Sequence, residues 1–234
     1  MKRLGLLGGM SWESSVVYEQ HINRAVRQRL GGVASADLLI RSFNFQDIET
    51  LQGLGQWDTA GAVLASAAKE LEVAGVDAIV LCTNTMHKVA DAIQQAIDIP
   101  LLHIVEATGQ AVTQAGCQKV LLLGTAYTME QPFYRDALAT QFGLEVVIPA
   151  QSERELIHRV IYDELVQGEI RNDSRVAYRD IVSRFHVDEG IEGVIAGCTE
   201  IELLLGPEDV DVHFFPTTAI HAQFAADFAL GVED

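Results

Sequence analysis

Positive charge is scarce in this sequence: 16 Lys and Arg stand against 33 Asp and Glu in 234 residues, a formal charge of -17. A nucleic-acid partner needs a basic footprint for its phosphates, and this composition argues against one. An acidic surface is in itself a solubility feature and calls for no cationic substrate. It does mean that an anionic ligand must be held by local N–H groups and hydroxyls against the overall field. Cysteine is scarce too. Cys82, Cys117 and Cys198 are odd in number and form no C-x-x-C pair, so neither a disulfide framework nor a zinc site is expected, and no metal. No apolar run reaches the roughly 18 residues of a membrane span, so no membrane partner is expected. The first ten residues, Met1 to Met10, have a passing likeness to a signal peptide. Their apolar part is short and glycine-broken and an amphipathic pattern follows at once, so they read as the first strand of a cytoplasmic protein.

Three phosphate and nucleophile signatures are also missing. Gly8-Gly9 is followed by neither a third spaced glycine nor a Lys-Ser/Thr pair, which excludes the dinucleotide fingerprint and the Walker loop. Ser11 is followed by Trp12-Glu13, which is not a G-x-S-x-G nucleophile elbow. No lysine sits in a recognisable cofactor context, so pyridoxal phosphate (PLP) is not expected, nor any other cofactor.

What is present is an ordinary globular balance, 49% apolar and 21% charged, in a length that suits one large domain or two small ones. Short buried strands alternate with helices of ten to fifteen residues, the pattern of a parallel sheet covered on both faces. Strands are expected at Lys2 to Leu7, Asp37 to Ser42, Val76 to Leu81 and Pro100 to His103, with helices after the Gly8 turn and at about 59–74, 88–96 and 106–115. Gln52 lies in a polar segment before the second helix. The second half starts over: strands at Lys119 to Leu123, Leu144 to Ile148, Gly193 to Ala196 and Val212 to Phe215. Its helices reach to about Gln141 and cover roughly 153–167, 173–185 and 217–230.

Two stretches stand out. Ala78 to His87 and Gly193 to Glu202 are both apolar runs that end abruptly in small polar residues, and they put Thr83 and Cys198 where a buried strand opens towards a helix. Gly8 precedes Thr83 by the same distance, to within one residue, as Gly124 precedes Cys198. General fold rules can also produce similar α/β halves, but a repeat of this kind places two like domains face to face, with ligands bound beyond the carboxyl ends of the strands. The expected domains are 1–100 with 212–234, and 101–211.

The chemistry these residues permit is limited. A thiol at a helix N-terminus can become partly thiolate near neutral pH, which would make Cys198 both base and nucleophile; an inert buried cysteine is the other reading. Cys117, in a helix, reads as structural. Thr83, Asn84 and Thr85 offer hydroxyl and amide groups to a carboxylate or an amino group, or else cap the next helix, and the same two readings hold for Thr125, Tyr127 and Thr128. His87 reads as a satisfied partner near the helix start rather than a catalyst.

Gly8-Gly9-Met10, Asn84-Thr85-Met86-His87, Gly124-Thr125 and Gly197-Cys198-Thr199-Glu200 together resemble the signature stretches of the cofactor-independent aspartate/glutamate racemase family, over nearly the whole chain. The resemblance implies two pseudo-symmetric, flavodoxin-like α/β domains with the active site in the cleft between them. It also implies two cysteines on opposite faces of the substrate α-carbon, one removing the α-proton and the other returning one. The Thr199-Glu200-Ile201 continuation is similar to aspartate racemases, whereas glutamate racemases of cell-wall synthesis usually carry His after Cys-Thr. Carried over by position, Met10, Gln52, Asn84, Thr85, Thr125, Tyr127, Thr128 and Thr199 would bind the substrate, a small amino acid, in a protein that the family leads one to expect as a homodimer.

One departure from the pattern matters most. The family's first cysteine directly precedes Asn-Thr, and here that position is Thr83, with Cys82 one residue earlier. Neighbouring side chains of a strand point to opposite faces, so Cys82 should face the core if Thr83 does not. A sub-branch specific for L-aspartate and L-glutamate is similar in pairing Thr with one Cys. The resemblance then implies that Cys198 deprotonates the L-substrate and that Thr83 supplies or relays a proton on the other face. Pro216 stands where an acidic residue is expected before Thr217-Thr218. For a side-chain carboxylate only Arg41 and Lys88 are available. Two other functions fit the same scaffold: decarboxylation or isomerisation of small dicarboxylates, for which one cysteine suffices, and binding of an amino acid without catalysis.

Overall fold

In the computed structural model, which describes residues 1–232, the chain divides into two units, Met1–Ile104 with the segment from His221 onward, and Val105–Ile220. In the first, β1 (Leu4–Gly8) leads into α1 (Trp12–Leu30), β2 (Leu38–Ser42) into α2 (Phe45–Gly53) and α3 (Trp57–Val73), and β3 (Ala78–Leu81) through a 3-10 turn at Thr85–Val89 into α4 (Ala90–Ala96). After β4 (Leu101–Leu102), α5 (Ile104–Gln114) carries the chain into the second unit. All four strands pair in parallel in the order β2-β1-β3-β4, with Leu7 opposite Leu81.

Strand alternation sorts the first core into two layers. Leu7, Ile79 and Leu81 pack with Leu64, Ala67, Ala68 and Leu71 of α3. Leu4, Leu6, Ala78, Val80 and Cys82 pack on the other side with Tyr18, Ile22, Ala25 and Val26. Those α1 residues recur every three or four positions, which puts them on one stripe of the helix. Cys82 is fully buried among them, as alternation from Val80 requires, and burial pushes its thiol pKa up. Truncating a fully buried side chain here, Leu6 or Ile79 to alanine, costs about 2–5 kcal/mol.

The second unit runs β5 (Lys119–Gly124), α6 (Ala126–Glu130), α7 (Pro132–Phe142), β6 (Glu145–Val147), α8 (Gln151–Asp163), α9 (Asn172–Glu189), β7 (Gly193–Gly197), α10 (Ile201–Leu204), β8 (His213–Pro216) and α11 (Thr217–Leu230). Its sheet is again parallel, in the order β6-β5-β7-β8. The two sheets therefore share one strand order, and both third strands end at the stretches singled out in the sequence. Leu121, Leu123, Val194 and Ala196 pack against Ile157, Val160 and Ile161 of α8 and Tyr178, Ile181, Val182 and Phe185 of α9. Among the described residues no helix is long and apolar enough to cross a membrane.

Several expectations need correction. The polar segment holding Gln52 is α2, whose Phe45, Ile48 and Leu51 belong to or pack against the first core. The polar turn expected at 124–128 is largely α6, and the helix expected after it, to about Gln141, opens only at Pro132, since proline at a first turn lacks only an N–H that would be unpaired there. The strand at 213–216, expected with residues 1–100, pairs with β7 and so belongs to the second sheet. As its edge strand it tolerates Pro216 at its last position. The change of unit falls inside α11, at Ile220 and His221.

Candidate active site

At the end of β3 the chain turns sharply. The Thr83 N–H donates to the Leu81 carbonyl at 2.9 Å, and the Cys82 N–H donates to Leu7 at 3.0 Å, which sets the Thr83 turn beside the Gly8-Gly9-Met10 turn. Gly9 has φ +85, and a Cβ there would stand 2.3 Å from the Phe43 carbonyl oxygen, so this crossing of backbones admits only glycine. Gly9 donates its N–H to Ser15 Oγ at 2.7 Å. Met10, Gln52, Thr83, Asn84 and Thr85 are all buried. Gln52 reaches from α2 to place Nε2 3.0 Å from Met86 Sδ, one residue beyond Thr85.

His87 is fully committed. Its Nε2 accepts the Ile104 N–H at 3.2 Å, so the ring proton sits on Nδ1, which donates to the Thr83 carbonyl at 2.7 Å. Burial lowers its pKa well below the ordinary histidine value, with His103 and His221 adding to the effect. The ring stands 4.6 Å from His103 and 5.7 Å from His221. His221 is neutral too, its pKa lowered by burial to about 4. Arg41 is exposed, with its guanidinium over Phe43, and the Lys88 ammonium lies 4.0 Å from the Trp57 ring centre, where burial lowers its pKa.

In the second unit Gly124 and Gly197 are register partners, so the turns opening at Thr125 and Cys198 leave neighbouring strand ends. A Cβ on either glycine would come 2.8 Å from a carbonyl oxygen of the opposite strand. Thr125 caps α6, its Oγ1 accepting the Thr128 N–H at 3.3 Å, and the two hydroxyls are 3.2 Å apart. His158 Nδ1 accepts the Ala126 N–H at 3.2 Å, and its ring meets the half-buried Tyr127 edge-on. The capping reading of Thr125 is thus realised, while Tyr127 has its ring against His158.

Cys198 lies at the end of the second core, with its thiol donating to Glu200 Oε2 at 3.1 Å. Thr199 Oγ1 donates to the same oxygen at 2.6 Å. All three side chains are buried, Glu200 to 4% exposure. Burial, then the Glu200 charge and its hydrogen bond, push the Cys198 pKa well above the ordinary thiol value. The backbone N–H groups of Glu200 and Ile201 pull it down but do not prevail. The partly ionised Cys198 expected from a helix N-terminus is therefore a thiol here. The helix that follows has four residues and little dipole, and a carboxylate folds back onto the sulfur.

Glu200, which the sequence marks only as part of a signature stretch, is thus brought into direct contact with Cys198. The signal was an acid two residues after the cysteine, in a stretch too short to carry it away. Glu202 also lies near this turn, where its carboxylate accepts the Thr218 N–H at 2.7 Å, at the start of α11, and burial raises its pKa to about 7.

Known proteins resemble this chain throughout its length. The family model for Asp/Glu/Hydantoin racemase matches residues 7–225. A candidate Asp/Glu racemase from Yersinia pestis is 50% identical, with a TM-score of 0.92 over 98% of this chain and 100% of that one. An aspartate racemase homologue from Pyrococcus horikoshii OT3 is 35% identical, with a TM-score of 0.86 over the same shares, 98% and 100%. The broad specificity amino-acid racemase RacX of Bacillus subtilis (strain 168) is 37% identical over 90 residues, a match that spans 38% of this chain and only 39% of RacX. Matching folds and a family model that spans both strand-end turns lead to one assignment: the chain belongs to the Asp/Glu/Hydantoin racemase family.

Proposed function

We propose that the protein is a PLP-independent amino-acid racemase acting on L-aspartate, L-glutamate or a close analogue, with Cys198 removing the α-proton of the L-enantiomer and Thr83 returning one on the opposite face. The observation that carries the reading is the buried Cys198–Glu200 pair. Racemisation needs a base at the α-carbon, and a resting thiol is not one. Glu200 supplies the missing acceptor. As the sulfur takes the α-proton, the thiol proton passes to the Glu200 carboxylate, so the substrate loses one proton, Glu200 gains one and sulfur is left as a thiol. The developing negative charge on sulfur is eased by the Glu200 and Ile201 N–H groups. Thr199, donating to the same Glu200 oxygen, holds the carboxylate in place.

The carbanion left on the substrate is then protonated from the other side. Thr83 has only a hydroxyl to offer, a much weaker acid than a thiol, so this is the slow half of the reaction. The weakness cannot make the enzyme one-way. Enantiomers are equal in free energy, so the two directions must share one kcat/KM, and a preference for the L-enantiomer has to lie in kcat and KM separately. The remaining expected substrate residues, Met10, Gln52, Asn84, Thr85, Thr125, Tyr127 and Thr128, would supply the polar and apolar lining that holds an anionic substrate in an acidic protein.

The test is incubation of a panel of L-amino acids in D2O without added cofactor, with deuterium uptake read by mass spectrometry and inversion by chiral chromatography. Uptake at the α-carbon of aspartate or glutamate, faster than inversion, is the expected result. Absence of uptake into every amino acid of the panel would overturn the reading.

A further inference from the structure

We infer that His87 is a positioning residue for Thr83: its neutral imidazole locks the peptide that carries the hydroxyl, and so sets the protonation step on that side of the substrate. The inference rests on the racemase reading and on four hydrogen bonds, all inside the first unit. The Tyr18 hydroxyl is 2.9 Å from His221 Nδ1, and His221 Nε2 is 2.8 Å from the Leu102 carbonyl. A carbonyl only accepts, so His221 carries its proton on Nε2. Two residues on, the Ile104 N–H donates to His87 Nε2, and His87 Nδ1 donates to the Thr83 carbonyl. Each ring therefore has one defined tautomer, and His87 cannot exchange a proton with a substrate without giving up a backbone partner.

The consequence for Thr83 follows from the backbone. Its N–H is held by the Leu81 carbonyl and its own carbonyl by His87, so both peptide planes flanking it are fixed. A β-branched side chain on a fixed backbone has few χ1 states, so fixing the peptide fixes the hydroxyl. Cys198, in the other unit, has no part in this network and gets its proton acceptor from Glu200. Loss of the His87 bond should accordingly damage one half of the reaction and spare the other.

Two substitutions separate the two ring nitrogens. His87→Asn keeps an N–H donor at the place of Nδ1, facing Thr83, and loses the acceptor for Ile104. His87→Gln keeps an acceptor at the place of Nε2, facing Ile104, and loses the donor to Thr83. Both remove a ring from between His103 and His221, so both should lower the melting temperature. In D2O with L-substrate, His87→Gln is expected to invert about tenfold more slowly than wild type, with α-proton exchange within about twofold, whereas His87→Asn keeps both rates. Equal loss of exchange and inversion in His87→Gln, or loss of inversion in His87→Asn to the same degree, would reduce His87 to a stabilising core residue and overturn the inference. If His87→Gln is insoluble, His87→Asn decides alone: inversion at the wild-type rate despite a lower melting temperature supports positioning, and a lowered inversion rate refutes it. Absence of exchange in wild type would instead overturn the racemase reading, which keeps the two failures distinct.

Discussion

Replacing Glu200 with glutamine keeps the size of the side chain and removes the acceptor on which the proposed chemistry depends. In wild type the Cys198 proton leaves to a carboxylate 3.1 Å away rather than to solvent, so α-proton exchange should not depend on ionisation of the thiol to solvent between pH 7 and 9. In Glu200→Gln the proton must leave to solvent before the sulfur can act as a base. Losing the carboxylate removes both of its upward effects on the thiol, while the burial that is the largest cause remains, so the pKa should fall. An ordinary thiol, with a pKa of about 8.5, is only about 3% ionised at pH 7, so exchange that waits on loss of the proton to solvent should fall by about 30-fold and recover as pH rises towards 9. Two assays check this. Deuterium uptake into L-aspartate or L-glutamate between pH 7 and 9 should be flat in wild type and rise steeply in the variant. Alkylation of Cys198 by iodoacetamide, followed by peptide mass spectrometry, should show a lower midpoint in the variant than in wild type. A variant that exchanges at the wild-type rate with a flat profile would refute Glu200 as the proton acceptor, and an unchanged alkylation midpoint would refute its effect on the thiol.

Other outcomes follow from the same structure. Cys198→Ala and Cys198→Ser should abolish both exchange and inversion, measured as above, while leaving a cooperative thermal transition; residual exchange above about 1% of wild type would place the base elsewhere. Thr83→Cys should raise turnover of D-substrate, because a thiol ionises to a base on that side far more readily than a hydroxyl does, and unchanged D-side kinetics would count against Thr83. His221 makes an acid-side contribution to stability. Its folded pKa of about 4 lies below the ordinary 6.5, so between those values the unfolded chain binds the extra proton and stability rises with pH; full above 6.5, the contribution of about 3 kcal/mol is lost as pH falls to 4. Glu202 acts in the opposite sense: with a folded pKa raised from 4.5 to about 7, the folded chain holds the extra proton in that window and stability falls as pH rises. Urea unfolding of Glu202→Gln at several pH values between 4.5 and 7 should therefore show a steeper gain in stability with pH than wild type. A parallel profile would refute the raised pKa.

Much of the fold was legible because its signals are local. Buried parallel strands are short apolar runs, and in this chain each of the central ones breaks into glycine or threonine at or just after its carboxyl end, as at Gly8, Thr83, Gly124 and Gly197. The inward turn of Cys82 follows from period two alone. What escaped was non-local or depended on a reversal of the chain. Nothing in Val212 to Phe215 says which sheet the strand joins, because pairing with Gly193 to Ala196 is a property of the assembled second unit. The α2 helix hid behind its polar residues, since Phe45, Ile48 and Leu51 make only a narrow stripe. The protonation state of Cys198 is not legible in the sequence, because a dipole effect needs a helix of useful length, and the structure has one turn and a returning carboxylate. His87 was legible as a bonded residue, four positions from Thr83, but its second partner, Ile104, is reached only through the fold.

The repeat of strand order does not extend to the chemistry at the two strand ends. Two residues after Cys198 stands Glu200, whose carboxylate reaches back to the sulfur; two residues after Thr83 stands Thr85, which has no carboxylate to offer. The nearby imidazole cannot replace it, because the His87 Nδ1 proton is given to the Thr83 carbonyl and Nε2 is taken by Ile104. Substituting cysteine at position 83 would therefore restore a thiol without restoring its acceptor. The gain on the D side should then grow with pH as that thiol ionises, while L-side exchange through Cys198 stays flat. A Thr83→Cys enzyme whose two sides share one pH profile would mean that the acceptor is supplied by the substrate or by solvent at both ends, and the distinction drawn between the two strand ends would fail.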